Sequence, residues 1–308
     1  MPDEARLTQL AWGVYAFIGA GGDSNAGAIL TSEGLLVIDA QQHATLGRQF
    51  RRALARETGK PVEWLIFTHY HLDHTGGSPV FAEEAPVLAQ ERTRDKLCAI
   101  LGPGKENPRN VTDFDTKIRL LFGPNIGSLI PPNDPGWAWF KKRIASPEYE
   151  TVSVALPTRT FTQRHTFDLP GRTVVLEYVG PAHCEGNIIV FLPENRIVFV
   201  ADLLFVGRFP WLGDGDIEGW IRALDWVAEL EVEQVVPGHG PPVTLKEVGE
   251  FRDMLFALHE AVAEAAASGI DEDQAAATVR LPAYESLPRY REWMPWNVRN
   301  LFRALGAE

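Results

Sequence analysis

Within Thr68-His69-Tyr70-His71-Leu72-Asp73-His74, four side chains able to bind a metal ion fall within six residues. Imidazole nitrogen and carboxylate oxygen both suit a borderline divalent ion such as zinc, and a catalytic zinc takes about three protein ligands and leaves one position open for water. The stretch follows an apolar run, Trp64-Leu65-Ile66-Phe67, that reads as a buried strand. Where that strand ends in a loop that begins a helix, His69 and His71 can aim one way and Asp73 and His74 another. The spacing therefore suggests two neighbouring half-sites, for which four ligands are too few.

The missing ligands must come from other strand ends. His183 follows the apolar run at 174–179, Asp202 follows Ile197-Val198-Phe199-Val200, and His239 follows Val235-Val236-Pro237-Gly238. Singly, each is unremarkable, and a His-x-His on a loop is usually ordinary polar surface. Their repeated placement beside Gly or Pro, after apolar runs, is what allows them to converge on one edge of a sheet.

Taken in order, Thr-His-x-His-x-Asp-His at 68–74, Gly180-Pro181-Ala182-His183, Ala201-Asp202 and Pro237-Gly238-His239-Gly240 resemble the successive motifs of the metallo-β-lactamase-fold hydrolases. Asp39, which ends Leu35-Leu36-Val37-Ile38, is similar to the first motif of that family, and the resemblance spans roughly residues 10–245. It implies an αββα sandwich of two mixed sheets flanked by helices. It also implies that His69, His71 and His183 hold one metal, that Asp73, His74 and His239 hold a second, and that Asp202 bridges both. Asp39 would orient the ligand loop without touching metal, the alternative being a simple strand-end cap. Two divalent ions are expected as cofactors, zinc foremost, with iron or manganese also accepted by such donors.

Two divalent ions bring four positive charges, of which Asp73 and Asp202 remove two, so the site stays electrophilic. Metal coordination lowers the pKa of water from about 15.7 to around 7, which supplies a hydroxide nucleophile at neutral pH. Asp73 is the catalytic candidate, placed to orient that nucleophile or carry its proton. Asp202, where the main antibiotic-degrading enzymes differ, makes the ligand set look more like that of glyoxalase II and lactonase relatives. The expected reaction is cleavage of a thioester, ester or lactone, with weak β-lactam hydrolysis as an alternative. An iron-dependent, persulfide dioxygenase-like redox enzyme with very similar ligands is the rival from another class.

The elements that must position these groups read as α/β. Val14 to Ile18, Ala26 to Thr31 and Leu35 to Asp39 read as strands, Leu46 to Arg56 as an amphipathic helix. Strands around Val174, Ile188 and Val198 precede a helix from Ile217 to Leu230, a short strand at 234–236 and a long helix from Leu245 to about Ala267. Gly19-Ala20-Gly21-Gly22 reads as a turn between strands. One domain over 1–308 is expected, with an insertion at about 102–150, where turn and breaker signals surround Trp137, Trp139 and Phe140. That insertion either walls the substrate pocket or packs its aromatics beneath a long loop. At about 282–308 an aromatic and basic extension packs on the body by default, and its aromatic density is compatible with a homodimer.

Phe205, Arg208, Phe209 and Trp211 are candidates for the substrate pocket, Arg208 either pairing a substrate carboxylate or bracing its loop. Cys184 reads as a small buried side chain instead of a thiolate ligand. His43, His165 and His259 read as structural or exposed, and Lys141-Lys142-Arg143 as a solvated helix face, the alternative being attraction of an anionic substrate. With 45% hydrophobic and 23% charged residues the composition is that of a globular enzyme. The net charge of −12 argues against a nucleic-acid partner and leaves a small-molecule substrate. No apolar run reaches a membrane span, Met1-Pro2-Asp3-Glu4 lacks the marks of a signal peptide, and two cysteines suit a reducing compartment, so a cytoplasmic location is expected.

Overall fold

The strands alternate their side chains between two different cores, which is how the chain comes to have four layers. In Val14–Ile18 the residues Val14, Ala16 and Ile18 enter one apolar cluster, while Tyr15 and Phe17 enter another. A strand buried on both faces reads as a continuous apolar run, and this one is. The computed structural model describes residues 4–104, 106–150 and 152–306. Residues 1–3, on which the reading of the amino terminus falls, and the side chain of Trp139 lie outside the described residues.

A seven-stranded sheet runs in the order Arg6–Ala11, Val14–Ile18, Ala26–Leu30, Leu35–Ile38, Val62–Phe67, Val87–Gln90, Arg159–Phe161. Its first four strands are antiparallel neighbours and its last three pairings are parallel. A five-stranded sheet follows chain order through Arg164–Leu169, Arg172–Tyr178, Ile188–Leu192, Ile197–Phe205 and Gln234–His239, with only the last pairing parallel. Ile29, Leu36, Ile38 and Ile66 of the first sheet share a core with Val174, Val190, Phe199 and Val236 of the second, so the sheets pack face to face. The outward residues Val37, Leu65 and Phe67 pack with Phe50 and Leu54 of the helix Ala44–Thr58. This is the αββα sandwich that the resemblance implied.

Caps set the helix starts. His43 Nδ1 accepts from Leu46 N at 3.4 Å before Ala44–Thr58, and Asp216 accepts from Gly219 N at 2.9 Å before Ile217–Ala228. Thr244 and Glu247 form a reciprocal capping box at Leu245–Ala267. The strand Val87–Gln90 and the helix Glu91–Leu101 had no counterpart in the sequence reading.

The insertion is mostly helical. Its breakers separate Phe114–Phe122, Ile126–Leu129, Gly136–Ile144 and Pro147–Glu150. It meets the C-terminal helix Tyr290–Gly306 in an aromatic cap: Phe140 lies 4.6 Å from Phe122 and 5.6 Å from Trp296, and Trp211 lies 5.9 Å from Trp293, between ring centroids. The aromatics of the C-terminal extension are thus largely spent inside the chain. Among the described residues no helix is long and apolar enough to cross a membrane.

Candidate metal centre

All seven predicted ligands converge where the two sheets' loops meet, in two groups that share one carboxylate. His69, His71, His183 and Asp202 form one and Asp73, His74, Asp202 and His239 the other, with the ligand atoms of each within 4.8 Å of one another. The Asp202 Oδ2 atom stands 4.0 Å from His69 Nε2, 3.5 Å from His183 Nε2 and 3.4 Å from His239 Nε2, while Oδ1 stands 2.9 Å from His74 Nε2. Zinc–nitrogen bonds of about 2.0–2.1 Å in tetrahedral array put ligand atoms about 3.4 Å apart, so these separations suit an ion between them.

The second ring nitrogen of four histidines decides which lone pair faces the cluster. Thr68 Oγ1 spends its only proton on Asp39 Oδ2 at 2.7 Å, so its 3.0 Å contact with His69 Nδ1 must be an N–H donated by the ring. His74 Nδ1 donates to Asp39 Oδ2 at 2.9 Å, and His239 Nδ1 donates to the Gly22 carbonyl at 2.9 Å. Both rings therefore aim Nε2 at the cluster. His71 is reversed: its Nε2 faces Asp214 Oδ1 at 3.5 Å, leaving Nδ1 toward His183 Nε2, 2.9 Å away. His69 Nε2 is buried without a hydrogen-bond partner, and His74 Nε2 and Asp202 Oδ1, equally buried, have only each other at 2.9 Å. Buried polar atoms are normally paired, and a cation would supply what these lack.

Electrostatics agrees. Burial, reinforced by the charge on His74, holds His69 well below the usual histidine range, and burial brings His183 down to about 4, so both rings stay neutral donors. Burial also works against charge on His74, but Asp202, Asp73 and Asp39 outweigh it and raise its pKa well above the ordinary value. Those three carboxylates call for positive charge at one point. Asp73 and Asp202 themselves remain ionised despite burial, held down chiefly by His74 and His239 respectively.

Several local devices fix the ligand loops. Asp39, buried, accepts Thr68 N at 2.8 Å as well as the two side chains above, and holds a left-handed φ of 58°. Ala201 is left-handed too, φ 47°, at the bulge that turns Asp202 toward the site. Such backbone is costly and persists where its surroundings over-determine it. A Cβ on Gly238 would sit 1.9 Å from Asp202 Oδ1, so this position admits only glycine. Asn25 ties the ends together, accepting from Gly19 N and donating to Pro237 O and Gly240 O at 2.8 and 2.7 Å.

A cavity of about 440 Å³ opens beside the cluster, lined by Asp73 and His239 among the ligands. Of the four predicted pocket residues only Arg208 lines it. Phe205 is buried against His239, stacked at 5.0 Å, and Phe209 packs on Tyr290, while Trp211 donates its indole N–H to Phe122 O within the cap. Large apolar side chains gained more from the core than from the cavity wall. Arg208 mainly braces: Nη1 donates to Gly22 O at 2.9 Å, and the guanidinium lies 4.7 Å over Trp293. Lys141 and Lys142 are exposed as a solvated face would have them, but Arg143 turns into the cavity, joined there by Arg289.

Asp214 was not recognised as an orienting group from sequence. It supports His71 and accepts the Tyr70 hydroxyl, yet it lies far along the chain in a Gly-rich loop that reads as a turn. Gly22 was read only as part of a turn, which it is, in the 3₁₀ segment Ala20–Gly22. Cys184 is buried and outside both ligand groups, and burial pushes its thiol pKa well up, so it stays a small neutral side chain. His165 packs on Phe167 at 4.7 Å and His259 lies near Glu218 and Glu260.

Comparison with known proteins places this geometry. The profile of the metallo-beta-lactamase superfamily matches residues 19–239. A linear primary-alkylsulfatase from Pseudomonas is 23% identical over 298 residues, covering 88% of this chain and 53% of that protein. The alpha subunit of 2,4-dinitroanisole O-demethylase from Nocardioides is 25% identical, covering 88% and 66%. The chain thus spans only half to two thirds of these relatives. An acyl-coenzyme A thioesterase from Gallus gallus is 26% identical, covering 74% and 76%. Among solved structures, a metallo-beta-lactamase from Pontibacter korlensis superposes with a TM-score of 0.59 at 20% identity, over 82% of this chain and 99% of that one. The sec-alkylsulfatase Pisa1 from Pseudomonas gives 0.68 at 16%, over 97% and 50%.

Proposed function

Because the chain belongs to the metallo-beta-lactamase superfamily, we propose that it is a dinuclear metal-dependent hydrolase that cleaves an ester, thioester or lactone bond of a small molecule. One observation carries the reading: seven ligand atoms form two groups joined at Asp202, beside a cavity that Asp73 and His239 line. His69, His71, His183 and Asp202 would hold one ion, and Asp73, His74, Asp202 and His239 the other. Paired divalent ions, zinc by preference, would supply Lewis acidity and an acidified water.

The chain's own residues do the rest. Asp39, Thr68 and the Gly22 carbonyl hold three imidazoles with Nε2 aimed inward, and Asp214 faces the Nε2 of a fourth, His71, at 3.5 Å. Asp73, the partly exposed member of the set, is placed to accept a proton at its carboxylate on the cavity side. Phe122 and Trp293 of the aromatic cap line the cavity and give it an apolar wall. The thioesterase relative supports the choice of bond.

A second reading, sulfate ester cleavage, draws on the two alkylsulfatase likenesses and on the arginines in the cavity. Hydrolysis of a thioester, a lactone, a β-lactam, a phosphodiester and an alkyl sulfate by metal-loaded protein, against a chelated control, tests both. Chelator-sensitive turnover of the acyl substrates supports the first reading, and sulfate release alone replaces it with the second. Oxygen consumption with one iron per chain would overturn both.

A further inference from the structure

Three guanidinium groups from three separate segments line the cavity: Arg143 from the insertion, Arg208 from the loop after Asp202, and Arg289 from the turn before the C-terminal helix. Arg208 belongs to the frame of the metal centre through the Gly22 carbonyl, which accepts from both Arg208 Nη1 and His239 Nδ1. The other two stand farther out. A second cavity, about 410 Å³, shares Asp23, Gln42, Arg143 and Arg289 with the first, so these four residues form the neck between them. On the inner side the neck meets apolar Leu121, Phe122 and Trp293, next to Asp73 and His239.

Holding like charges together is costly unless something answers them. Burial first, and then the charges of Arg289 and Arg143, bring Arg208 down to about 10, and burial together with Arg143 lowers Arg289. Arg143 is answered by Gln42 Oε1, to which its Nη2 donates at 2.6 Å, and by the Tyr149 ring at 5.8 Å, and two carboxylates answer the charges in part. Asp23 lies 3.4 Å from Arg143, and Glu292 lies 3.7 Å from Arg289 with its side chain half exposed. Both separations exceed the roughly 2.7–2.9 Å of a strong charged hydrogen bond, and exposed pairs of this kind contribute little. The neck can therefore exchange them for a ligand anion. With two positive and two negative side chains present, a singly charged planar anion fits its balance better than a dianionic phosphate.

We propose that Arg143 and Arg289 form a subsite for a carboxylate carried by the substrate away from the bond that is cleaved. The apolar part of the substrate then lies along Leu121, Phe122 and Trp293, and the scissile bond reaches Asp73 and His239. This assignment rests on the hydrolase reading and narrows it to anionic acyl substrates.

Two p-nitrophenyl esters of equal chain length, the valerate and the mono-glutarate, test it with metal-loaded protein. The glutarate ester is expected to show a kcat/KM about tenfold higher, carried by KM. Arg143→Gln and Arg289→Gln should each bring the ratio of the two esters toward one, and Lys141→Gln should leave it unchanged. Because a ratio is read, partial loss of folded protein does not imitate the effect. Equal turnover of both esters by the wild type, or a ratio unmoved by both arginine variants, would overturn the subsite while leaving the hydrolase reading intact. Failure to turn over either ester counts against the hydrolase reading, and calorimetry with glutarate then decides the subsite. Binding weakened about tenfold by the arginine variants supports it, and unchanged binding refutes it. Tighter binding of a phosphorylated analogue than of glutarate would overturn the choice of anion.

Discussion

The metal cluster and the aromatic cap line the same cavity, and they hold their residues in place by different means. Around the cluster three of the five ligand imidazoles have a directional partner on the outer nitrogen, from Thr68, Asp39 or a backbone carbonyl, and a fourth, His71, faces Asp214 at 3.5 Å. The cap sets its rings by packing between the insertion, the loop after Asp202 and the C-terminal helix, and its polar ties, such as Asn297 Nδ2 to Pro210 O at 2.8 Å and Asn300 Nδ2 to Leu212 O, join mainly backbone, with Trp211 and Trp296 among the rings that donate. Directional bonds fix a ring to within a rotamer, whereas apolar packing accepts many side chains of suitable volume. The cluster should therefore fail as a unit, and the cap should tolerate change and govern what enters.

The most damaging test of that contrast is Asp202→Ala. It removes the carboxylate common to both groups, so metal content and activity should fall together, activity by more than about 10³-fold, on the scale of several kcal/mol of metal assistance. Elemental analysis and a hydrolysis assay check it, and retained activity without metal would sink the cluster's role. Trp296→Ala should cost about 3 kcal/mol of stability in denaturant titration, the order expected for emptying a buried aromatic site, while bound metal stays unchanged. Metal loss in that variant would show that cap and cluster are not separable.

Acid should also tell them apart. In metal-stripped protein His183 is held near 4 and His69 well below its ordinary value, whereas the unfolded chain restores both to about 6.5. The unfolded state takes up these protons first, so the stability they contribute is complete above about pH 6.5 and is lost as the pH falls toward 4. Denaturant midpoints at pH 7 and pH 5 measure this, and identical midpoints would refute it. A smaller effect is expected for Asp214→Asn, which frees His71 Nε2 and should weaken metal binding about 10- to 100-fold. Competition with a calibrated chelator reads this directly. Lys141→Gln, on the solvated side of its helix, should change stability by no more than about 0.5 kcal/mol.

What could be read from sequence divides along the same line. The seven ligands were legible because each is a metal-binding residue type close after an apolar run, and the runs became the strands Val62–Phe67, Arg172–Tyr178, Ile197–Phe205 and Gln234–His239. Asp214 and Arg143 were not assigned their places, because each meets a group more than a hundred positions away and no local period marks such a meeting. Phe205, Phe209 and Trp211 were placed at the pocket because they share a loop with Arg208. Proximity in sequence cannot tell a cavity wall from the core beneath it. Sulfate ester cleavage was absent from the expected reactions, since ligand type constrains the metal centre and leaves the scissile bond to the walls around it.

Asn25 binds the backbone on both sides of His239, and through it the beginning of the chain is stitched to the last ligand. On the ribosome the His69–His74 loop emerges well before that stitch can be made. Roughly 165 residues separate the loop from His239, about 10–30 s of synthesis at ordinary rates. An ion captured by the nascent loop would lack His239 throughout that interval and Asp202 for most of it, and could still be exchanged. The choice of metal would thus be deferred until His239 is in place, the closing step being also the one that would lock the ion in.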